Sequence, residues 1–299
     1  MIARGLPRVL VLGGGELGSA VSHRLARSGM EVFVADLDAP TCIRTEVCFA
    51  MALRAGAIEV EGVTAVKAAT VDEAFGIAAG GRTPVLALRL EQGAYRMFAR
   101  ELRADVLIDA RMLKRKEDMS RDAAPLVIGL GPGFTAPEDV HAVIETNRGH
   151  GLGRVIYEGR AGADTGIPGE ICGYSGERLI RSPASGVFTA RAKVGDLVAG
   201  GQVVGVVVAA AAGKAAREVW AGEAAVGARA GERTDVVASL EGLLRGLISD
   251  GVNVEKGQKI GDVDPRGSEI DPRTISDKGR AVAGGVLEAI MHWWSRAHA

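Results

Sequence analysis

The sequence predicts an α/β fold, with a mainly parallel sheet in its first half, a smaller β-rich module after it and a closing helix. Three observations carry this. Short β-branched runs alternate with longer helical patterns up to about residue 158, a glycine loop joins the first run to the first helical pattern, and from Gly186 a set of glycines recurs at fixed intervals. Alternating strands and helices imply parallel pairing, because each parallel crossover needs a long connection.

Strands are predicted over 8–12, 31–35, 84–88, 105–109, 126–130 and 154–158, and helices over 17–28, 94–103 and 137–147. Tighter alternation over 58–67 predicts an extra hairpin. The first strand runs straight into Gly13, Gly14, Gly15, Glu16, Leu17 and Gly18, a Gly-x-Gly-x-x-Gly spacing that opens a helix. In a Rossmann-like sheet such glycines turn the chain, let backbone approach a pyrophosphate and allow close helix-to-strand contact. Asp36 ends the second strand, where a carboxylate would accept from a ribose hydroxyl. These residues form the candidate cofactor-binding set, with NAD or a molybdopterin-type dinucleotide as the expected guest.

A second glycine loop follows the strand at 126–130 and contains Gly131 and Gly133, which join the same set. Thr135 with Glu138 fits a capping box for the helix expected over 137–147. On that helix His141 and Glu145 would share a face, and Asn147, Arg148 and His150 would crowd its end. Ligands in open α/β sheets bind at the carboxyl ends of the strands. Asp139, His141, Glu145, Asn147, Arg148 and His150 are therefore the candidate catalytic set. A metal site from Asp139, His141 and His150 would need more than one helix to converge, and no metal is expected. Cys42 and Cys48 read as packing residues, and Cys172 as a candidate reactive thiol.

After about Tyr174 the composition changes. Gly186, Gly195 and Gly201 recur as Gly242, Gly251 and Gly257, and Val198-x-x-Gly201-Gln202-x-Val204-Gly205 becomes Val254-x-x-Gly257-Gln258-x-Ile260-Gly261. Two similar hairpin units, each with a hydrophobic face it cannot bury alone, would close a small sandwich. The pattern resembles the paired half-motifs of lipoyl and biotinyl domains, which form a barrel-sandwich hybrid. It lacks their modified lysine, since Lys214 sits in Ala-Gly-Lys-Ala-Ala. Residues 209–237 read as a long link between the halves. The expected division is 1–175 for the nucleotide-binding domain, 176–270 for the β-rich domain and 271–299 for a helical segment carrying Val286, Leu287, Ile290, Trp293 and Trp294.

With 36 Lys and Arg against 37 Asp and Glu, no basic excess exists to neutralise nucleic acid or an anionic membrane surface. The apolar run from Val203 to Gly213 falls short of the ~20 residues a membrane helix needs. Three cysteines suggest no disulfide frame, so a cytoplasmic setting is expected.

Several stretches together resemble one family. They are Gly13–Leu17, Pro40-Thr-Cys-Ile-Arg44, Ile128-Gly-Leu-Gly-Pro-Gly-Phe-Thr135, residues 138–150, Thr165-Gly-Ile-Pro-Gly169, Gly242-Leu-Leu-Arg-Gly-Leu-Ile248, Gly257-x-Lys-Ile-Gly-Asp-Val-Asp-Pro-Arg266 and Thr274-Ile-Ser-Asp-Lys278. The chain is similar to the YqeB-type proteins of the selenium-dependent molybdenum hydroxylase system. It departs from them at Glu16, where members usually carry Asp, and at Gly18. The resemblance implies an accessory factor that matures a hydroxylase of the xanthine dehydrogenase type, with that hydroxylase as client partner and homo-oligomers allowed. Two other readings stay open. One is an NAD-dependent oxidoreductase using His141 or His150 as general acid. The other is a non-catalytic scaffold whose β-rich module docks the client.

Overall fold

The computed structural model describes residues 5–88, 93–113, 119–166, 169–209 and 231–297. It is a mixed α/β structure with one large, mainly parallel sheet, two antiparallel sheets and a C-terminal helix. The chain divides into two compact units. One comprises residues 1–40, 47–166 and 273–299, the other residues 41–46 and 167–272.

The first unit runs β1 (Arg8–Leu12), α1 (Glu16–Arg27), β2 (Glu31–Asp36), α2 (Ala52–Ala55), β3 (Ala57–Val60), β4 (Val63–Ala68), α3 (Val71–Ala79), β5 (Thr83–Ala87), α4 (Ala94–Glu101), β6 (Val106–Asp109), β7 (Leu126–Leu130), β8 (Ala142–Ile144) and β9 (Val155–Ile156). The strands line up as β3-β4-β5-β2-β1-β6-β7-β8-β9. All neighbours from β4 to β8 are parallel, and antiparallel β3 and β9 close the two edges. Valine, leucine and isoleucine of β1, β6 and β7 are buried on both faces, as central parallel strands demand.

The expected hairpin is β3–β4. Its two-residue turn, Glu61-Gly62, has positive φ at both positions, the geometry whose twist suits adjoining strands. Helix α3 was not foreseen. Its start is nonetheless written locally, since Thr70 Oγ1 accepts from Glu73 N–H and Glu73 Oε2 accepts from Ala69 N–H.

One predicted element is overturned. Residues 137–147 do not form a helix; the segment holds strand β8 instead. Val140, Ala142, Val143 and Ile144 are all fully buried, with β7 on one side and β9 on the other. A strand covered on both faces shows a continuous apolar run, which periodicity alone does not separate from a helix. Thr135 and Asp139 close a turn: Asp139 Oδ2 accepts from Thr135 N–H, and Asp139 N–H donates to Thr135 O.

Helix α5 (Asp277–Ala297) belongs to the first unit and lies along α1. A side chain at Gly279 would begin 2.9 Å from Ala20 Cβ, and one at Gly285 would overlap the Gly153 carbonyl oxygen. Val282, Val286 and Ile290 fill the stripe between, while Trp293 is only partly buried.

The second unit contains β10 (Leu179–Arg181), β11 (Gly186–Ala190), β12 (Leu197–Val198), β13 (Val203–Val208), β14 (Arg233–Val237), β15 (Gly242–Leu247), β16 (Asn253–Val254) and β17 (Lys259–Asp264). The internal repeat is real at the level of structure. Strands β10 to β13 have counterparts in β14 to β17, in the same order. The sheets are β10-β17-β15-β12 and β14-β13-β11-β16, so each half's central hairpin is flanked by strands of the other half. Side chains at Gly186 and Gly242 would overlap the carbonyl oxygens of Val208 and Asp264, which occupy equivalent places in the two hairpins. The core is shared by Phe188, Val204, Val207, Leu244, Ile260 and Val263. Lys214 and most of the link at 209–237 lie outside the described residues.

Candidate functional site

The carboxyl edge of the large sheet is built around the turn after β1. Gly13 has φ of +92° and its N–H donates to Ala35 O at 2.8 Å. A side chain there would stand 2.9 Å from the Ala110–Arg111 backbone, and one at Gly18 would overlap the Gly13 carbonyl oxygen. These glycines are required by close approach within the protein itself. The amide of Gly14 donates to Asp36 Oδ2 at 2.6 Å, and Leu37 N–H donates to Asp36 Oδ1 at 2.7 Å. Burial pushes the Asp36 carboxyl above the usual carboxylate range, against the pull of those two amides.

The other side of the turn is covered. Ala50 N–H donates to Gly14 O, and Ser19 Oγ donates to Gly14 O while accepting from Phe49 N–H at 2.7 Å. Phe49 and Ala50 are fully buried. Gly13, Gly14 and Gly18 are therefore interior, and Gly15, Glu16 and Leu17 form the half-buried rim from which a guest would approach. Nothing stands within 4 Å of the position a Gly15 side chain would take.

Two residues absent from the predicted set lie beside this turn. Asp109, at the end of β6, is 1% exposed and accepts from Arg111 through backbone N–H at 3.0 Å, Nε at 3.1 Å and Nη2 at 2.6 Å. This pairing holds the guanidinium on Asp109 at the end of β6, and the Arg111 backbone nitrogen stands 2.9 Å from where a Gly13 side chain would begin. The sequence signal was an Asp-x-Arg at a strand's carboxyl end.

The remaining candidates divide between two ends of the sheet. Asp139 and His141 stand at the amino end of β8, and Glu145, Asn147, Arg148 and His150 at its carboxyl end. In extended chain, positions 141 and 145 lie roughly 13 Å apart. His141 Nδ1 accepts from Val127 N–H at 3.0 Å, and burial, with Arg121 nearby, pushes its pKa down. Glu145 is an anchor for backbone: Oε1 accepts from Thr146 and Asn147 N–H, and Oε2 from Gly162 N–H. Asn147 Nδ2 donates to Ala163 O, Arg148 pairs with Asp277, and His150 is exposed. Gly131 turns with φ of +72° against the buried hydroxyl of Thr146, and Gly133 turns with φ of +112°. The set thus does not converge on one point.

Among the described residues, no group of three His, Cys, Asp or Glu side chains stands close enough to hold a metal ion. No helix among them is long and apolar enough to cross a membrane. Cys48 is buried, Cys42 half-buried, and Cys172 exposed at φ of +51°.

The chain is similar to the uncharacterized protein YqeB of Escherichia coli K12, at 42% identity over 283 residues. The match covers 95% of this chain and 47% of YqeB, so the chain spans about half the length of that relative. No protein-family model matches it. Among solved structures, an aspartoacylase family protein from Mesorhizobium loti aligns at 13% identity, covering 87% of this chain and 85% of that one, with a TM-score of 0.24. The product-bound ectoine utilization protein EutE of Ruegeria pomeroyi aligns at 13% identity over 87% of this chain and 86% of its own, with a TM-score of 0.25. Superpositions this loose establish no shared fold.

Proposed function

We propose that this chain is an accessory factor of the YqeB type that binds a nucleotide-bearing ligand through a Rossmann-like unit and serves the maturation of a molybdenum hydroxylase. The observation that carries the binding step is the reversal of strand order at β1, with a glycine turn after β1 and an acid at the end of β2. Open α/β sheets take ligands at this place. Asp36 would accept from a ribose diol while keeping its bond to the Gly14 amide. The rim at Gly15–Leu17 would meet the phosphates, and Arg111 would supply the charge that offsets Glu16. The interlocked halves of the second unit support the barrel-sandwich reading of that module.

The hydroxylase pathway rests on the motif resemblance alone; the 42% identity supports the likeness to YqeB. Of the two histidines in the oxidoreductase reading, His141 lies at the opposite end of β8 from the glycine turns with its ring engaged by Val127, whereas His150 is exposed beyond the carboxyl end of β8.

Calorimetric titration with NAD, ATP and a molybdopterin-type dinucleotide tests the binding step. One of them is expected to bind, and Asp36→Ala should weaken it at least tenfold. Silence from all three removes the nucleotide from the proposal. For the pathway, cells lacking this chain should accumulate inactive hydroxylase of unchanged abundance; fully active hydroxylase in such cells would overturn the maturation role.

A further inference from the structure

Helix α1 ends beside a basic cleft that the proposed function leaves unused. Ala20, Arg24 and Arg27 follow one another along a single face of α1, and His23 borders that face. Together with Ser28, with Ile275 just before α5, and with Arg280 and Leu287 on α5, they line a cavity of about 240 Å³. The glycine turn is at the other end of α1, with Gly15 roughly 18 Å from Arg27 by helical rise.

The last-turn carbonyls of α1 are already satisfied. Arg24 O accepts from Ser28 N–H at 3.0 Å and from Ser28 Oγ at 2.9 Å, Ala26 O from Gly29 N–H at 3.0 Å, and Leu25 O from Met30 N–H at 3.1 Å. Neither the Arg24 nor the Arg27 guanidinium has a hydrogen-bond or ion-pair partner among the described residues. Three residues apart, these two like charges face one another across a single helical turn, which is unfavourable. Arg280 is different: its Nη2 donates to Glu61 Oε1 at 2.7 Å, and the same oxygen accepts from Ile275 N–H at 2.8 Å. His23 Nε2 donates to Glu61 O at 3.2 Å. Among the described residues no carboxylate lines the cavity itself, and Glu61 pairs with Arg280 at its edge. Arg24 and Arg27 therefore leave two positive charges uncompensated.

A concave surface of one sign concentrates ions of the other, and forked guanidinium donors suit the oxygens of a phosphate. We propose that this cleft binds a small phosphate monoester. Arg24 and Arg27 hold its oxygens from α1, and Arg280 adds charge from α5 while it stays on Glu61. The body of the ester rests on the apolar part of the wall, formed by Ala20, Ile275 and Leu287. Two negative charges on one tetrahedral head match two guanidiniums that stand side by side. A dicarboxylate of equal charge carries its two charges at separate ends, and a sulfate monoester carries only one. The cavity is smaller than the ~300–1,000 Å³ usual for drug-sized ligands, which suits a small ester rather than a dinucleotide.

The test is calorimetric titration of the full chain with phenyl phosphate, inorganic phosphate, phenyl sulfate and succinate at equal ionic strength and pH 7.5. Saturable binding of phenyl phosphate is expected, with each of the other three at least fivefold weaker. Arg24→Gln and Arg27→Gln should each weaken phenyl phosphate at least fivefold, and Leu287→Asn should bring its affinity towards that of inorganic phosphate. Circular dichroism reports whether each variant folds; Arg27 is exposed, so Arg27→Gln keeps the test open should Leu287→Asn unfold. Arg191→Gln removes an exposed charge from the second unit and should leave the affinity within twofold. Loss in Arg24→Gln and Arg27→Gln but not in Arg191→Gln assigns the ester to this cleft. No saturable binding, equal affinity for phenyl phosphate and phenyl sulfate or succinate, or an equal loss in Arg191→Gln would overturn the proposal. So would binding that survives both Arg24→Gln and Arg27→Gln but is lost in Gly15→Val.

Discussion

At the scale of single residues, the glycine turn separates positions that hold the fold from one with open space beside it. Gly18→Ala forces a methyl into the Gly13 carbonyl and should cost about 1–3 kcal/mol or more in urea unfolding. Gly15→Ala meets no neighbour and loses only a favourable N-cap residue, so its cost should stay below about 1 kcal/mol. Equal losses at the two positions would contradict the packing described. His141 gives a second residue-level test. Its Nδ1 must be unprotonated to accept from Val127, and its pKa is held below the ordinary 6.5. The unfolded chain therefore binds the proton more readily, so the contribution of His141 to stability is complete above pH 6.5 and is lost as pH falls towards the folded value. Titration of the ring by NMR should give a midpoint below 6.5, and His141→Phe should flatten that part of the stability profile. The Asp36–Gly14 bond was beyond sequence reasoning, because a carboxylate predicted to meet a ribose gives no local sign that a backbone amide already holds it.

At the scale of elements, one local pattern led to opposite outcomes. Thr135-x-x-Glu138, which reads as a helix start, and Thr70-x-x-Glu73 share one spacing, but only the second begins a helix. Alanine-rich α3 follows Thr70, whereas Val140, Val143 and Ile144 follow Thr135, and β-branched residues favour a strand once both faces are covered. Most remaining elements were legible: the strands matching β1, β2, β5, β6, β7 and β9, the β3–β4 hairpin, α1, α4 and α5 come from periodicity and turn chemistry that act over a few residues. Helix α5 carries the sharpest prediction at this scale. Ile290 is fully buried in its stripe, so Ile290→Ala should cost about 2–5 kcal/mol, while Met291→Ala, at a position 40% exposed, should stay within about 0.5 kcal/mol. Thermal unfolding of the two variants measures the difference. Glu61 adds to the docking of this helix, since Oε1 accepts from Ile275 N–H and Arg280. Burial raises its pKa, but those bonds outweigh burial and hold it below the usual range.

At the scale of the whole molecule, the chain carries two compact units with different polar economies. The first gathers its glycine turns and Asp36 at the carboxyl edge of a parallel sheet; the second buries charge inside a duplicated β module. Burial raises the Asp264 carboxyl, but the hydrogen bonds and charge of Arg266, with Arg245, more than offset it and leave the pKa below the ordinary 3.8. Its folded form thus prefers to be ionised, and the stability it adds is present above pH 3.8 and lost as pH falls through the folded value. Asp264→Asn should therefore lower the urea midpoint at pH 7 and differ progressively less from the unchanged protein below pH 3.8; a constant gap at all pH values would contradict this. By itself the sequence determined the mainly parallel character of the large sheet and the place of six of its strands, the turn glycines and the duplication, because each depends on backbone preferences or on periodicity within a short stretch. Only the tertiary structure decided that residues 142–144 form a strand, that Asp139 and His141 lie at the opposite end of β8 from Glu145 and Arg148, and that Asp262 and Asp264 gather beside Arg245. Those outcomes depend on which faces are covered by segments distant in the chain, and coverage from afar leaves no mark on local spacing.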